Sequence, residues 1–397
     1  MSASLSCYPS AFIDRPRVAI IGAGVIGLAL GWRLAEAGCA VDLFDSGRSG
    51  QGASHAAAGM LAACAELEPA EEGLLPLNRE SQRLWPRFAA ELEAASGQPV
   101  GYRESGTLVV ALTADDAARL RHQQVLHRAH DLPVDWLTPA EARRREPHLA
   151  TQLSGALWCP QDHQADNRLT VIALQTAARQ AGARIHDHTK VEAVEIAGGI
   201  ARGVRLRDRH HPADVVVLAA GAWSRGIAIA PAPPVPVRPV KGQLLALQMD
   251  PAQPLLSHVL WGPGIYMVPR ANGRLILGAT TEEKGFDLTI TAGGQLALLT
   301  HAWRTLPAIE ELPILEQWAG LRPGSRDDAP ILGPSGIEGL IHATGHHRNG
   351  ILQLPVTTQV IVDLILNGHL HPLAAPFAVD RFTAQVAAQV MTQVAAQ

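Results

Sequence analysis

The chain has 397 residues, which is room for about two domains, and its 47% hydrophobic share supports a large core. A charged share of 18% argues against a disordered chain, and a net charge of −4 excludes the basic footprint of a nucleic-acid binder and electrostatic attachment to an anionic membrane. The four cysteines, Cys7, Cys39, Cys64 and Cys159, have no CxxC spacing and fit a reducing, cytoplasmic setting, and no apolar run reaches the roughly 18 residues of a membrane span.

Residues 1–14 lack the charged start and apolar middle of a signal peptide and read as a disordered extension. Residues 18–21 form a short apolar run, as a buried parallel strand does. The glycines Gly22, Gly24 and Gly27 follow at once, then a helical stretch over 25–37 with Gly38 as its stop, then a second strand over 40–44 closed by Asp45. This is one βαβ unit carrying G-x-G-x-x-G with an acid at the end of its second strand. The first glycine permits a tight turn, the second lets a pyrophosphate approach the backbone, and the third lets helix and strand pack closely. The helix N-terminus supplies N–H groups and partial positive charge for phosphate, and the acid suits a ribose hydroxyl. A carboxylate there disfavours a 2′-phosphate.

The chain then enters a loop of small residues, 48–59, instead of a second βαβ unit. Such a loop suits close backbone approach to a long, extended cofactor, which favours FAD over NAD. Helices are expected at 75–95, 114–130, 139–145 (with Thr138 as N-cap) and 169–181, and strands at 107–112, 184–187, 191–196, 200–206 and 215–219. Ala220-Gly221-Ala222-Trp223 follows the last of these. The proline-rich segment 231–239 suits a crossing between domains. Strands at 242–248, 265–268 and 275–279 follow, the last two flanking the hairpin signal Asn272-Gly273. A helix at 295–303, a strand at 340–343 and a helix at 355–366 complete the pattern.

A sheet assembled from both ends of the chain implies an insertion. The expected fold is α/β: a Rossmann-like FAD-binding domain (15–90, 150–232 and 318–370) with an inserted substrate domain (91–149 and 233–317) built on an antiparallel sheet with flanking helices. Residues 371–397 read as a C-terminal tail. The 17 histidines include the adjacent pairs His210-His211 and His346-His347, but none stands at metal-ligand spacing with cysteine or carboxylate, so no metal site is expected.

Six segments carry a family likeness: the glycine fingerprint; Ser54-His55-Ala56-Ala57-Ala58-Gly59-Met60-Leu61; Arg238-Pro239-Val240-Lys241-Gly242-Gln243; Tyr266-Met267-Val268-Pro269-Arg270; Trp318-Ala319-Gly320-Leu321-Arg322-Pro323-Gly324; and Thr344-Gly345-His346-His347-Arg348-Asn349-Gly350-Ile351-Leu352. Through them the chain resembles the D-amino-acid oxidase superfamily of FAD-dependent oxidoreductases and, within it, the glycine oxidase family of thiamine biosynthesis. The resemblance implies that Val25 and Ile26 touch the pyrophosphate and that Asp45 and Ser46 meet the ribose side. It implies that Ala53, Ser54, Ala58, Gly59 and Met60 line the cofactor channel, that Val191 meets adenine through its backbone, and that Gly221 and Trp223 border the cofactor. Residues His346, His347, Arg348, Asn349, Gly350, Ile351 and Leu352 are implied to run beside the flavin. Arg322 and Arg348 are implied to bind a substrate carboxylate, with Tyr266 adding a hydroxyl.

Two positions depart from the family pattern: His347 stands where an aromatic is usual, and Gly264 where a polar residue is expected. With no cysteine after Cys159, FAD is expected to be held non-covalently. The implied activity is oxidation of a small amino acid, glycine first, with O2 as electron acceptor, in a homo-oligomer that resembles a tetramer. The alternatives are a D-amino-acid or glycine dehydrogenase that passes electrons to a quinone or partner subunit, an oxidase of sarcosine or small D-amino acids, and a flavoprotein without turnover. The helix after Gly350 is expected to aim its N-terminus at the flavin.

Overall fold

A computed structural model describes residues 15–382; the extension expected over 1–14 and the tail from 383 onward lie outside the described residues. The strand Arg17–Ile21 sits near the centre of a six-stranded sheet. It pairs in parallel with Ala40–Phe44 on one side and Val215–Leu218 on the other, and the sheet continues to Arg184–His186 at one edge and to Leu340–Thr344 and Ile331–Pro334 at the other. Only the last pair is antiparallel. The strands come from the beginning, middle and end of the chain, as the insertion argument requires.

Alternation along Arg17–Ile21 sends its side chains to two cores. Val18 and Ile20 face the helices Val25–Glu36, Leu75–Ser96, Asn167–Gln180 and Leu354–Asn367. Ala19 and Ile21 face a three-stranded sheet of Val191–Ala197, Ile200–Leu206 and His210–Pro212. Burial on both faces is why the strand reads as an unbroken apolar run. Gly198 and Gly199 take positive φ values of 61° and 80° and close the tight hairpin of that small sheet.

The second large sheet has eight strands in the order Ile314–Gly324, Arg238–Gln248, Arg274–Gly278, Ile265–Pro269, Val259–Gly262, Thr107–Ala111, Gly155–Cys159 and Asp135–Leu137. It departs from the expectation in two ways. Gly155–Cys159 and the whole of Ile314–Gly324 belong to this sheet, although the expected boundaries put 150–159 and 318–324 with the cofactor domain. Its pairing is antiparallel except where Val259–Trp261 runs parallel to Thr107–Val109, the seam between the two inserted stretches of chain. The Asn272-Gly273 hairpin is present, with Gly273 at φ 82°. Helices Ala114–Ala129 and Pro139–Arg145 both start in capping boxes, at Thr113 and Thr138. The tail up to residue 382 is packed: Phe377 and Phe382 are buried, and Arg381 is paired with Asp327.

Candidate active site

The two large sheets are bridged by a cavity of about 1640 Å³, well above the roughly 300–1,000 Å³ typical of small-molecule pockets and suited to an extended cofactor with a substrate at one end. Its cofactor end is built from the βαβ unit. Gly22 takes φ 101°, and a Cβ there would lie 2.5 Å from the Ala219 carbonyl oxygen; a Cβ at Gly27 would lie 2.0 Å from the Gly22 carbonyl oxygen. Neither position admits another residue, and helix Val25–Glu36 thereby starts directly over the strand. Gly24 is its N-cap and brings no side chain to the first turn. The Val25 N–H donates to Ser54 Oγ (2.9 Å), leaving the hydroxyl proton available at the helix N-terminus. Asp45 accepts from the N–H groups of Ala23 and Gly47, both at 2.9 Å. Each carboxylate oxygen retains a second lone pair for a ribose hydroxyl. A cradle that a Cβ would fill, a helix N-terminus and a positioned acid fit a dinucleotide such as FAD.

Most of the residues expected at the cofactor do line this cavity: Gly22, Gly24, Val25, Ile26, Asp45, Ser46, Ala53, Ser54, Ala58, Gly59, Met60, Val191, Gly221, Trp223, His346, His347, Arg348, Gly350 and Ile351. Gly27, Asn349 and Leu352 do not. Gly27 serves the helix–strand contact, Asn349 donates its N–H to the His346 carbonyl inside a tight turn, and the Leu352 carbonyl accepts from Ser81 and Trp85 behind the wall. The His346 ring is buried, bonds Thr357 Oγ1 at 3.0 Å and ties this turn to the last helix; burial lowers its pKa to about 3, so it is neutral. His347 takes φ 46°, and burial lowers it to about 4. Cys39, Cys64 and Cys159 are buried and none lines the cavity.

At the other end, the eight-stranded sheet presents Tyr266 and Arg322. Tyr266 lies on Ile265–Pro269, opposite Gly278 of the next strand; Arg322 lies on Ile314–Gly324, beside Gly242 of Arg238–Gln248. The two glycines make the room. A Cβ at Gly278 would be 2.4 Å from the Tyr266 hydroxyl, and one at Gly242 would be 2.6 Å from both terminal nitrogens of Arg322. Arg322 donates to the carbonyls of Thr280 (3.1 Å) and Lys241 (3.4 Å), and among the described residues no carboxylate is paired with it. Burial pushes the Tyr266 phenol up to about 12 against the pull of the neighbouring Arg322 guanidinium, so it stays protonated and can donate. A cation without a counter-ion beside a neutral donor, lining a cavity, is what a substrate carboxylate requires.

Arg348 is placed differently from Arg322. It lines the same cavity, but its Nε donates to Glu66 Oε2 at 2.6 Å and its Nη2 is paired with Glu71. Burial works against its charge, yet the two carboxylates outweigh that and raise its pKa. With two acids already on it, Arg348 offers no surplus positive charge. Glu66 was not legible from the sequence; it stands in no motif, and its partner is 282 residues away. Gly264, where a polar side chain was expected, takes φ 76° with the His301 ring 3.1 Å from where its Cβ would be.

The two ends of the cavity are braced. Buried Arg270 reaches from the hairpin to the carbonyls of Ala58 (2.7 Å) and Ala165 (3.1 Å) and to Gln164 and Asn167. Glu316 accepts from Arg168 at 2.8 Å and from Arg274 at 2.6 Å, which joins helix Asn167–Gln180 to the eight-stranded sheet. Among the described residues no helix is long and apolar enough to cross a membrane.

Residues 17–364 match the family described as FAD dependent oxidoreductase. The chain is 36% identical to the glycine oxidase of Geobacillus kaustophilus, over 93% of this chain and 98% of that one. The crystal structure of glycine oxidase from that organism superposes with a TM-score of 0.85 over 92% of this chain and 99% of that one. A bifunctional protein ThiO/ThiG of Trichormus variabilis is 36% identical over 94% of this chain, which spans 56% of that longer protein. The hydrogen cyanide synthase subunit HcnC of Pseudomonas aeruginosa is 34% identical, over 90% of this chain and 87% of the subunit.

Proposed function

This chain belongs to the FAD dependent oxidoreductase family, and from that premise we propose that it is an amino-acid oxidase acting on glycine, with FAD held non-covalently. The observation that carries the substrate class is the Arg322–Tyr266 pair, exposed to the cavity by Gly242 and Gly278 at the end opposite the dinucleotide cradle. The guanidinium and the phenol grip the carboxylate, which fixes the position of the adjacent Cα–H. Positioning then carries much of the rate, because the reacting carbon arrives in one orientation. FAD in the cradle supplies the two-electron acceptor, and the protein binds, orients and tunes. With a neutral amine, no side-chain base at the Cα–H is required. The imine product hydrolyses, so that glycine, O2 and water give glyoxylate, ammonia and hydrogen peroxide.

The likeness to ThiO/ThiG proteins supports a place in the thiazole branch of thiamine biosynthesis. The reading includes a cytoplasmic homo-oligomer, a tetramer; the exposed apolar side chains Leu296, Trp303, Ile314 and Leu315 support self-association, and light scattering tests it. The likeness to HcnC supports a second reading, a glycine dehydrogenase that passes its electrons to a partner subunit. Anaerobic mixing of the FAD-loaded protein with glycine, sarcosine, D-alanine and D-proline separates the substrates. Bleaching of the flavin band by glycine ahead of the others supports the proposal, and bleaching by none of the four refutes it. Admitting oxygen afterwards restores the band quickly in an oxidase and slowly in a dehydrogenase.

A further inference from the structure

Arg322 and Tyr266 account for one end of an amino acid. The other end is a nitrogen that donates hydrogen bonds whether it is charged or neutral, and once it is taken out of water it needs an acceptor on the protein. Three carboxylates line the cavity. Asp45 is at the cofactor end, bonded to Ala23 and Gly47, and Glu68 is exposed. Glu66 is mostly covered, its side chain 11% exposed, and it adds to the burial that raises the Tyr266 pKa.

The backbone around Glu66 is held from several directions. The buried Asp162 carboxylate accepts the N–H of Cys64 (3.1 Å) and Ala65 (2.7 Å). His127 Nε2 bonds the Cys64 carbonyl at 3.0 Å, and Gln123 donates to the carbonyls of Ala65 (3.3 Å) and Leu67 (3.1 Å). Arg348 fixes the carboxylate itself. Glu71, the second acid on Arg348, does not line the cavity.

We propose that Glu66 receives the substrate nitrogen, so that the pocket reads both ends of the amino acid, with Arg322 and Tyr266 on the carboxylate and Glu66 on the amine. Arg348 is then a positioning residue: it holds Glu66 against the cavity and works against the burial that raises the acid's pKa, and Glu71 balances Arg348 from behind. The assignment rests on the amino-acid oxidase reading above. It explains why one arginine of the pair is saturated with carboxylates while the other has none.

The test compares a ligand that has a nitrogen with one that lacks it. Glycine is followed by kcat/KM for flavin reduction, and acetate by its perturbation of the flavin absorbance band, in the FAD-loaded wild type, Glu66→Gln and Glu71→Gln. The expected result is that Glu66→Gln lowers kcat/KM for glycine about tenfold to a hundredfold, the range of a hydrogen bond to a charged group, while acetate binds as tightly as before or more tightly. Glu71→Gln moves glycine and acetate together. Equal losses of glycine and acetate in Glu66→Gln, or no change in either, overturn the assignment and leave Glu66 as a structural partner of Arg348. If Glu66→Gln sheds FAD, Glu66→Asp, which keeps the charge, carries the same test: glycine weakened more than acetate supports the assignment, and equal weakening overturns it. If the wild type oxidises sarcosine or D-alanine and not glycine, the glycine reading fails by itself, and the comparison is made with that amino acid against acetate.

Discussion

Gly242→Ala isolates the geometry of the carboxylate grip from everything else in the fold. Gly242 does not have a positive φ, so alanine brings no backbone strain, and within a strand it costs less chain entropy than glycine. Its Cβ would lie 2.6 Å from both terminal nitrogens of Arg322, and ordinary contact begins at 3.4 Å, so the guanidinium must retreat by about 0.8 Å. It is the far end of a flexible side chain and can do so cheaply, which separates activity from stability. A misplacement of about 1 Å can cost on the order of a hundredfold in rate, equivalent to about 2.7 kcal/mol. The expected outcome is a variant with full FAD content, a Tm equal to or above that of the wild type, and kcat/KM for glycine lower by about a hundredfold. Steady-state oxygen uptake gives the rate, the flavin band gives the FAD content, and thermal unfolding gives the Tm. Full FAD content with kcat/KM within about threefold of wild type would show that Arg322 does not set the substrate position, and the reasoning would fail.

Arg322→Lys keeps the charge but loses the planar fork; KM for glycine should rise by about a hundredfold with FAD retained, read from initial rates. Asp45→Ala removes the acceptor shared by Ala23 and Gly47 and the group facing the ribose; FAD affinity should fall by about tenfold to a hundredfold, measured by titrating the apoprotein with FAD. Glu316→Gln tests the brace between the two sheets. Hydrogen bonding to Arg168, with the charges of Arg168 and Arg274, depresses the Glu316 pKa from 4.5 to about 2 despite partial burial. Its stabilisation is therefore complete above pH 4.5 and is lost as pH falls through about 2. The variant should unfold at a lower temperature than the wild type at neutral pH, and the gap should close as pH drops from about 4.5 towards 2; a gap that does not change with pH would refute the ionic explanation.

The cofactor cradle was legible because its requirements are local. Gly27 packs on Gly22 within one turn and Gly22 takes a positive φ, which the local spacing shows, whereas the crowding of Gly22 by Ala219 and of Gly24 by Ser54 does not show; Asp45 ends a strand whose apolar run is plain in the sequence. The hairpins at Gly198-Gly199 and Asn272-Gly273 were legible for the same reason. Gly155–Cys159 was not, because its partners, Thr107–Ala111 and Asp135–Leu137, are distant and its five buried residues show no alternation. Ile314–Gly324 begins with exposed, partly polar residues at the edge of its sheet, so its first half hides the strand. Family likeness brought Tyr266, Arg322 and Arg348 to notice, but it did not show that Arg348 is already engaged by Glu66 and Glu71. Nor did it show that Gly242 and Gly278 make the space for the other two, since a missing side chain matters only when its neighbour across the sheet is known.

The most direct measurement is oxygen uptake by the purified, FAD-loaded protein with glycine as the sole substrate, with glyoxylate and peroxide quantified in the same vessel. Uptake with one glyoxylate and one peroxide formed per oxygen consumed is the result that the Arg322–Tyr266 pocket and the glycine cradle predict. No uptake, together with a flavin band that stays oxidised under glycine without oxygen, would contradict the assignment of glycine as substrate.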